Sequence, residues 1–192
     1  MPKDYLPGII KLFEYYRSLG EKTIQQVPEE KINWQYNAES NSMSTIVKHI
    51  TGNMLSRFTD FLTTDGEKEW RNREAEFEPE SLSKKELIDR WHKSWKLFLD
   101  VLHQLREDDL DRIIYIRNMG QTVTEALDRQ LAHYASHIGQ MIYLGKMIMD
   151  KDWISLSIPR GQSSDYNAAK FSEPKHEAHF ADEFLDKEKD KS

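Results

Sequence analysis

The chain of 192 residues reads as an all-α protein built from four long amphipathic helices. Three observations predict this. Apolar residues recur at three- and four-residue spacing in four separate stretches, Ser83/Glu86 and Thr122/Glu125 form capping boxes, and the segments between are polar or punctuated by Gly, Pro and Asn.

Helix one is expected from about Asp4 to Gln26, where Tyr5, Ile9, Leu12, Phe13, Tyr16, Leu19 and Ile24 share a stripe and Pro7 sits in a tolerant first turn. A polar connection follows through Pro28, Trp34 and the run from Asn37, with Asn41 or Ser42 as the next N-cap. Helix two is expected from about Met43 to Leu62, with an inward face of Met43, Ile46, His49, Ile50, Asn53, Met54, Arg57 and Phe61. His49, Asn53 and Arg57 thus run down an apolar side at i, i+4 spacing. Burying an arginine and an amide without partners costs on the order of several kcal/mol. Either a cavity with water or a ligand meets them, or that face is not buried.

The stretch TTDGEKEWRNREAEFEPES, Thr63 to Ser81, is too long for a tight hairpin and suits a crossover that lets helix three run parallel to helix two. Its charge reads as a solvated connection, and a loop of that length can also line the mouth of a site. Leu87, Trp91, Trp95, Phe98, Leu102 and Leu105 trace helix three to about Gln104 or Leu105, the aromatic residues serving as packing. The β-branched segment Arg112 to Gln121 predicts a short extended or hairpin piece.

Helix four, Thr122 to Met149, places Val123, Ala126, Leu127, Gln130, Leu131, Tyr134, Ile138, Met141, Ile142, Leu144 and Ile148 in one half-circle at about 100° per residue. After Lys151 the helical period disappears. Residues 1–150 are therefore expected to form the helical domain and 151–192 a tail, with Trp153, Ile154, Leu156 and Ile158 docked and the last dozen residues solvated.

The formal net charge is −6 with both signs well mixed, which disfavours a nucleic-acid surface. No apolar run approaches the roughly 20 residues of a bilayer span, and MPKDYLPGII lacks the pattern of a signal peptide, so a cytoplasmic protein that binds no membrane is expected. With no cysteine, any metal must rest on histidine, carboxylate, amide or water.

His133 and His137 lie one turn apart at the shoulder of the inward half-circle, so both imidazoles can point at one ion. His49 adds a third inward imidazole from helix two. Three protein ligands with an open position is the layout of a catalytic metal site. Among the other polar residues, Asn53 is either a substrate-contacting residue or a hydrogen-bonded core amide. Arg57 either binds an anionic substrate or pairs with Asp60 or a loop carboxylate, and Gln130 either meets a ligand or closes a polar layer. Tyr134 reads as core, His92 and His103 as surface residues, and the pair His176 and His179 sits in a charged tail without a core behind it.

The inward histidine in IVKHITGNM together with HxxxH in RQLAHYASHIGQMIYLGKM resembles the DinB/YfiT-like superfamily of metalloenzymes over about residues 5–150. The longer stretches NSMSTIVKHITGNMLSRFTDFLTTDGEKEWRNR and SIPRGQS resemble one branch of it, a domain of unknown function. The resemblance implies a four-helix bundle in up-down-down-up order, with nickel or zinc held by His49, His133 and His137, and frequent homodimers. Characterised members of the superfamily include thiol transferases that use bacillithiol or mycothiol and a maleylpyruvate isomerase. The expectation is therefore a metal-dependent enzyme acting on a small molecule by thiol transfer, with a low-molecular-weight thiol as cofactor, or by hydrolysis. The competing reading is a non-catalytic dimeric metal-binding or stress-response protein. Fold alone does not choose between them.

Overall fold

A computed structural model describes residues 5–78, 80 and 82–189, the last four as backbone only. Asp4 at the expected start of helix one, Pro79 and Ser81 of the crossover, and the three residues that end the charged terminus lie outside the described residues. The protein is mostly helical. In chain order the elements are α1 (Tyr5–Gln26), α2 (Met43–Phe58), α3 (Lys84–Gln104), β1 (Ile113–Ile116), β2 (Met119–Thr122), α4 (Val123–Met149), α5 (Ser163–Phe171) and α6 (Asp182–Lys189).

The start of each later long helix follows from its cap. Ser42 accepts a hydrogen bond from the Thr45 amide, and complete capping boxes form at Ser83/Glu86 and Thr122/Glu125. The four long helices then pack pairwise, α1 and α2 each against both α3 and α4. Phe98 of α3 is where they meet. Its ring lies 4.6 Å from Phe13 of α1, 4.4 Å from Phe58 of α2 and 5.7 Å from Tyr134 of α4, measured between centroids. Such edge-to-face contacts add to the burial of a large apolar ring.

Helix α2 differs from the one-faced helix the sequence predicts, because it is buried almost all round. Its second face carries Lys48, Thr51, Gly52 and Ser56, and the crossover lies over it. Lys48 Nζ donates to the Glu78 carbonyl at 2.6 Å and Ser56 Oγ to the Gly66 carbonyl at 2.7 Å. The crossover is thus anchored on α2 at buried Gly66 and Glu76, while most of its described residues stay solvated as its charge suggested. Helix α2 also stops at Phe58, short of the expected Leu62: Thr59 is extended, and Asp60 takes a φ of 50° that no helix continues through.

The hairpin expected between Arg112 and Gln121 is present, with Ile116 paired to Met119 across a two-residue turn. Arg117 and Asn118 both adopt positive φ, 55° and 60°, as a type I′ turn requires. Asp65 secures that turn, accepting from the Arg117 amide at 2.9 Å and the Asn118 amide at 2.8 Å. These backbone donors, Asn118 first, hold the Asp65 carboxyl below its ordinary pKa.

The tail departs most from expectation. It contains α5 and α6, and α6 packs on α1 through a Lys11–Asp182 ion pair at 2.7 Å, buried Ala181, and the Phe180 and Phe184 rings against Tyr15. Trp153 fits over Gly145 and Leu156 touches the core, but Ile154 and Ile158 are exposed at 71% and 38%. Two of the four residues expected to dock therefore face solvent.

Because Phe98 joins all four long helices, Phe98→Ala is expected to lose about 3–5 kcal/mol of unfolding free energy by denaturant titration. A loss below about 1 kcal/mol would show that the ring junction is not a centre of stability.

Candidate metal centre

Helix α2 delivers His49 and α4 delivers His133 and His137, one turn apart, to a single point. His133 Nε2 lies 3.3 Å from His49 Nε2 and 3.1 Å from His137 Nε2. The ligand atoms of all three residues fall within 4.8 Å of one another, and the group could hold a metal ion. Two nitrogens bound to one tetrahedral zinc at about 2.0–2.1 Å lie roughly 3.3 Å apart, so the observed spacing fits a divalent ion.

Hydrogen bonds at the far side of the rings supply a second test of fit. His49 Nδ1 donates to Glu76 Oε2 at 2.9 Å, and His137 Nδ1 donates to Gln140 Oε1 at 3.1 Å. Both acceptors fix the proton on Nδ1, which leaves the two Nε2 lone pairs bare and aimed inward. Burial, reinforced by the neighbouring His137 and His49, pushes the His133 pKa from 6.5 down to about 3. Burial and then His49 lower that of His137, against the opposing bond to Gln140. Neutral imidazoles with converging lone pairs are what a cation needs and what bare proximity would disfavour.

Glu76 is set by the crossover. Burial alone would raise its pKa, but the bonds from His49 and Arg71 outweigh this and hold it ionised. Arg71 Nε donates to Oε1 at 2.8 Å and Nη2 to Oε2 at 2.9 Å, a fork on a carboxylate. Glu76 reaches this position because residue 52 is glycine, where a Cβ would collide with the carboxylate. Phe77 covers the open side of His49, with ring centroids 4.9 Å apart.

One turn along α2, Asn53 Oδ1 accepts from Gln130 Nε2 at 2.6 Å and from the Tyr134 hydroxyl at 3.2 Å. Gln130 and Tyr134 close a polar layer around the Asn53 carbonyl oxygen in this way. Arg57 donates to the Gly66 carbonyl and pairs with Glu67 at 3.1 Å, so its partner is the loop carboxylate and not Asp60. All three also line a cavity of about 230 Å³ that reaches His49 and His133, with Arg71, Arg73, Arg117 and Arg129 on its remaining walls.

Glu76, Arg71 and Gly52 were not singled out in the sequence. The signal was thin: Glu76 stands among alternating acids and bases, and only the small residue facing it on α2 hinted at close approach. The other histidines stay apart from the centre. His92 pairs with Glu21 at 3.0 Å, His103 is exposed, His176 bonds to the Pro174 carbonyl, and His179 Nδ1 accepts from the Ala181 amide.

Glu76→Gln is expected to weaken divalent-metal affinity about 10–100-fold in a competition titration against a chelating dye, since it removes the anion that orients His49. Unchanged affinity would remove Glu76 from the centre. For the chelator-treated protein, the unfolded chain binds more protons at His133 than the folded one between pH 6.5 and about 3. Thermal stability is therefore expected to fall as pH drops through that window, and His133→Asn to make the fall shallower.

No match to the chain is found among curated proteins. No helix among the described residues is long and apolar enough to cross a membrane. The profile of the family described as "Protein of unknown function (DUF1572)" matches residues 1–162, well over half of the sequence, and the chain belongs to that family.

Proposed function

We propose that the protein is a divalent-metal-dependent enzyme of the DinB-like class, acting on a small molecule by thiol transfer or hydrolysis. The observation that carries this reading is the three Nε2 atoms at one point, with a polar cavity leading to them. A closed structural centre has its positions filled by the protein and no such approach.

The chain's own residues have separable tasks. His49, His133 and His137 hold the ion, nickel or zinc, with Glu76 and Gln140 fixing the orientation of two of the rings. When bound, the ion acts as a Lewis acid and lowers the pKa of a thiol or water beside it. Asn53 and Gln130 form a rigid polar wall, and burial pushes the Tyr134 phenol up in pKa, so it remains a neutral donor to Asn53. Arg57, fixed by Glu67 and Gly66, presents positive charge at the same cavity. No carboxylate lines that cavity among the described residues, so a general base from the protein is not part of the reading.

The same proposal includes the up-down-down-up bundle. Its support is the order of contacts. Along α1 and α4, Tyr5 meets Asp128, Phe13 meets Tyr134 and Thr23 meets Gly145, a rising sequence in both helices. Lys48 near the start of α2 pairs with Glu80 just before α3, and Phe58 meets Phe98. His49 meets His133 and His137 while Asn53 meets Gln130, so the order reverses between α2 and α4. A homodimer also belongs to the proposal, supported by exposed Tyr36, Tyr143 and Met147 around one surface cavity.

The test is elemental analysis of untagged protein beside a His133→Ala, His137→Ala double variant. About one nickel or zinc ion per chain, lost in the variant, is expected. Metal-loaded protein is then assayed with electrophiles plus a low-molecular-weight thiol and with hydrolysable esters and amides. A chain that takes up no divalent ion on incubation would overturn the proposal.

A further inference from the structure

Five of the ten arginines in this net-acidic chain line the cavity beside His49 and His133. They arrive from separate places: Arg57 from α2, Arg71 and Arg73 from the crossover, Arg117 from the turn of the hairpin, and Arg129 from α4. Gathering like charges at one concave surface is unfavourable unless something negative answers them.

The protein's own carboxylates answer them only in part. One oxygen, Glu67 Oε2, serves three guanidiniums, with Arg57 Nη1 and Nη2 each at 3.1 Å, Arg117 Nε at 3.0 Å and Arg71 Nη1 at 3.8 Å. Arg57 also donates to the Gly66 carbonyl and Arg117 Nη2 also reaches Glu67 at 3.0 Å, yet with five N–H donors on each guanidinium every one of the three keeps donors to spare. Glu76 takes two donors of Arg71 and is also committed to His49. Arg73 lies over the Phe77 ring at 5.1 Å, where its own neighbour, exposed Glu74, is 3.3 Å away. Arg129 has no ionic partner among the described residues. Burial lowers the Arg57 pKa, the hydrogen bond and charge of Glu67 oppose this, and Arg71 and Arg117 add a smaller repulsion.

We infer that this cavity is a subsite for a small molecule bearing a carboxylate or phosphate group, gripped by Arg73, Arg117 and Arg129 at the mouth and by Arg57 and Arg71 at the back. The planar guanidinium fork matches both oxyanions, and the absence of lysine from the described lining favours bidentate recognition over a diffuse positive field. The volume, about 230 Å³, lies below the roughly 300–1,000 Å³ of sites for drug-sized ligands. An oxyanion held there sits beside His49 and His133, so the molecule's reacting part reaches the metal centre. The inference rests on the proposed metal enzyme for its chemistry, while the arginine cluster stands on its own geometry.

The experiment is calorimetric titration of the full chain, zinc-loaded and chelator-treated, with inorganic phosphate, succinate and neutral succinamide. Wild type is compared with Arg73→Gln, Arg129→Gln and the double variant. Both side chains are exposed, Arg73 resting on the Phe77 ring, and a thermal melt verifies that each variant folds. Binding of phosphate or succinate but not succinamide, weakened about tenfold in each single variant and further in the double, is the expected result. Arginine-dependent binding by a chain that takes up no zinc would uphold the subsite and overturn the metal reading. Zinc uptake without oxyanion binding, or zinc-dependent binding unaffected by the arginine variants, would uphold the metal and overturn the subsite.

Discussion

The carboxylate of Glu76, buried between His49 and Arg71, is the interaction on which the site depends. It joins the crossover to α2 at the place where α2 faces α4. An isolated buried charge is expensive, and this one is tolerated because two cationic or donor groups satisfy both of its oxygens. The same bond that makes Glu76 acceptable inside the protein sets which nitrogen of His49 carries a proton. Local electrostatics and the tautomer of a ligand are thus one arrangement.

Around that point the protein separates stiffness from charge. The apolar junction at Phe98 and the Asn53, Gln130 and Tyr134 layer form the floor, with the Asn53 oxygen accepting from both of its neighbours on α4. Arg57 and Arg129 stand on α2 and α4, while the other charged groups, Arg71, Arg73, Arg117, Glu67 and Glu76, come from the crossover and the hairpin. Loops on a rigid helical frame are a common way to vary specificity without disturbing the metal ligands.

Much of this was legible in the residues. The two capping boxes located the starts of α3 and α4, and the angular position of His49, His133 and His137 brought the three together without any knowledge of the loops. What escaped had no periodic signal. Phe61 and Leu62 continue the apolar spacing of α2 past Phe58, so only the backbone turn at Asp60 reveals the end. Glu76 is buried while Glu74, two positions away, is exposed, and no pattern of charge distinguishes them. Helix α6 docks by Ala181 and two aromatic rings set in a strongly charged stretch, too short a stripe to stand out at helical period. Tertiary partners decide such cases, and they are absent from local sequence.

Gly52 and Glu76 occupy overlapping space, one by lacking a side chain and the other by filling the gap. Neither position can change its volume independently. A methyl group at 52 evicts the carboxylate, and a shorter residue at 76 leaves a hollow over the glycine. The two positions therefore constrain each other in space: a Cβ at 52 and the present seat of the Glu76 carboxylate exclude one another. Through that small steric pact, a residue that binds nothing governs how a ligand on its own helix is aimed.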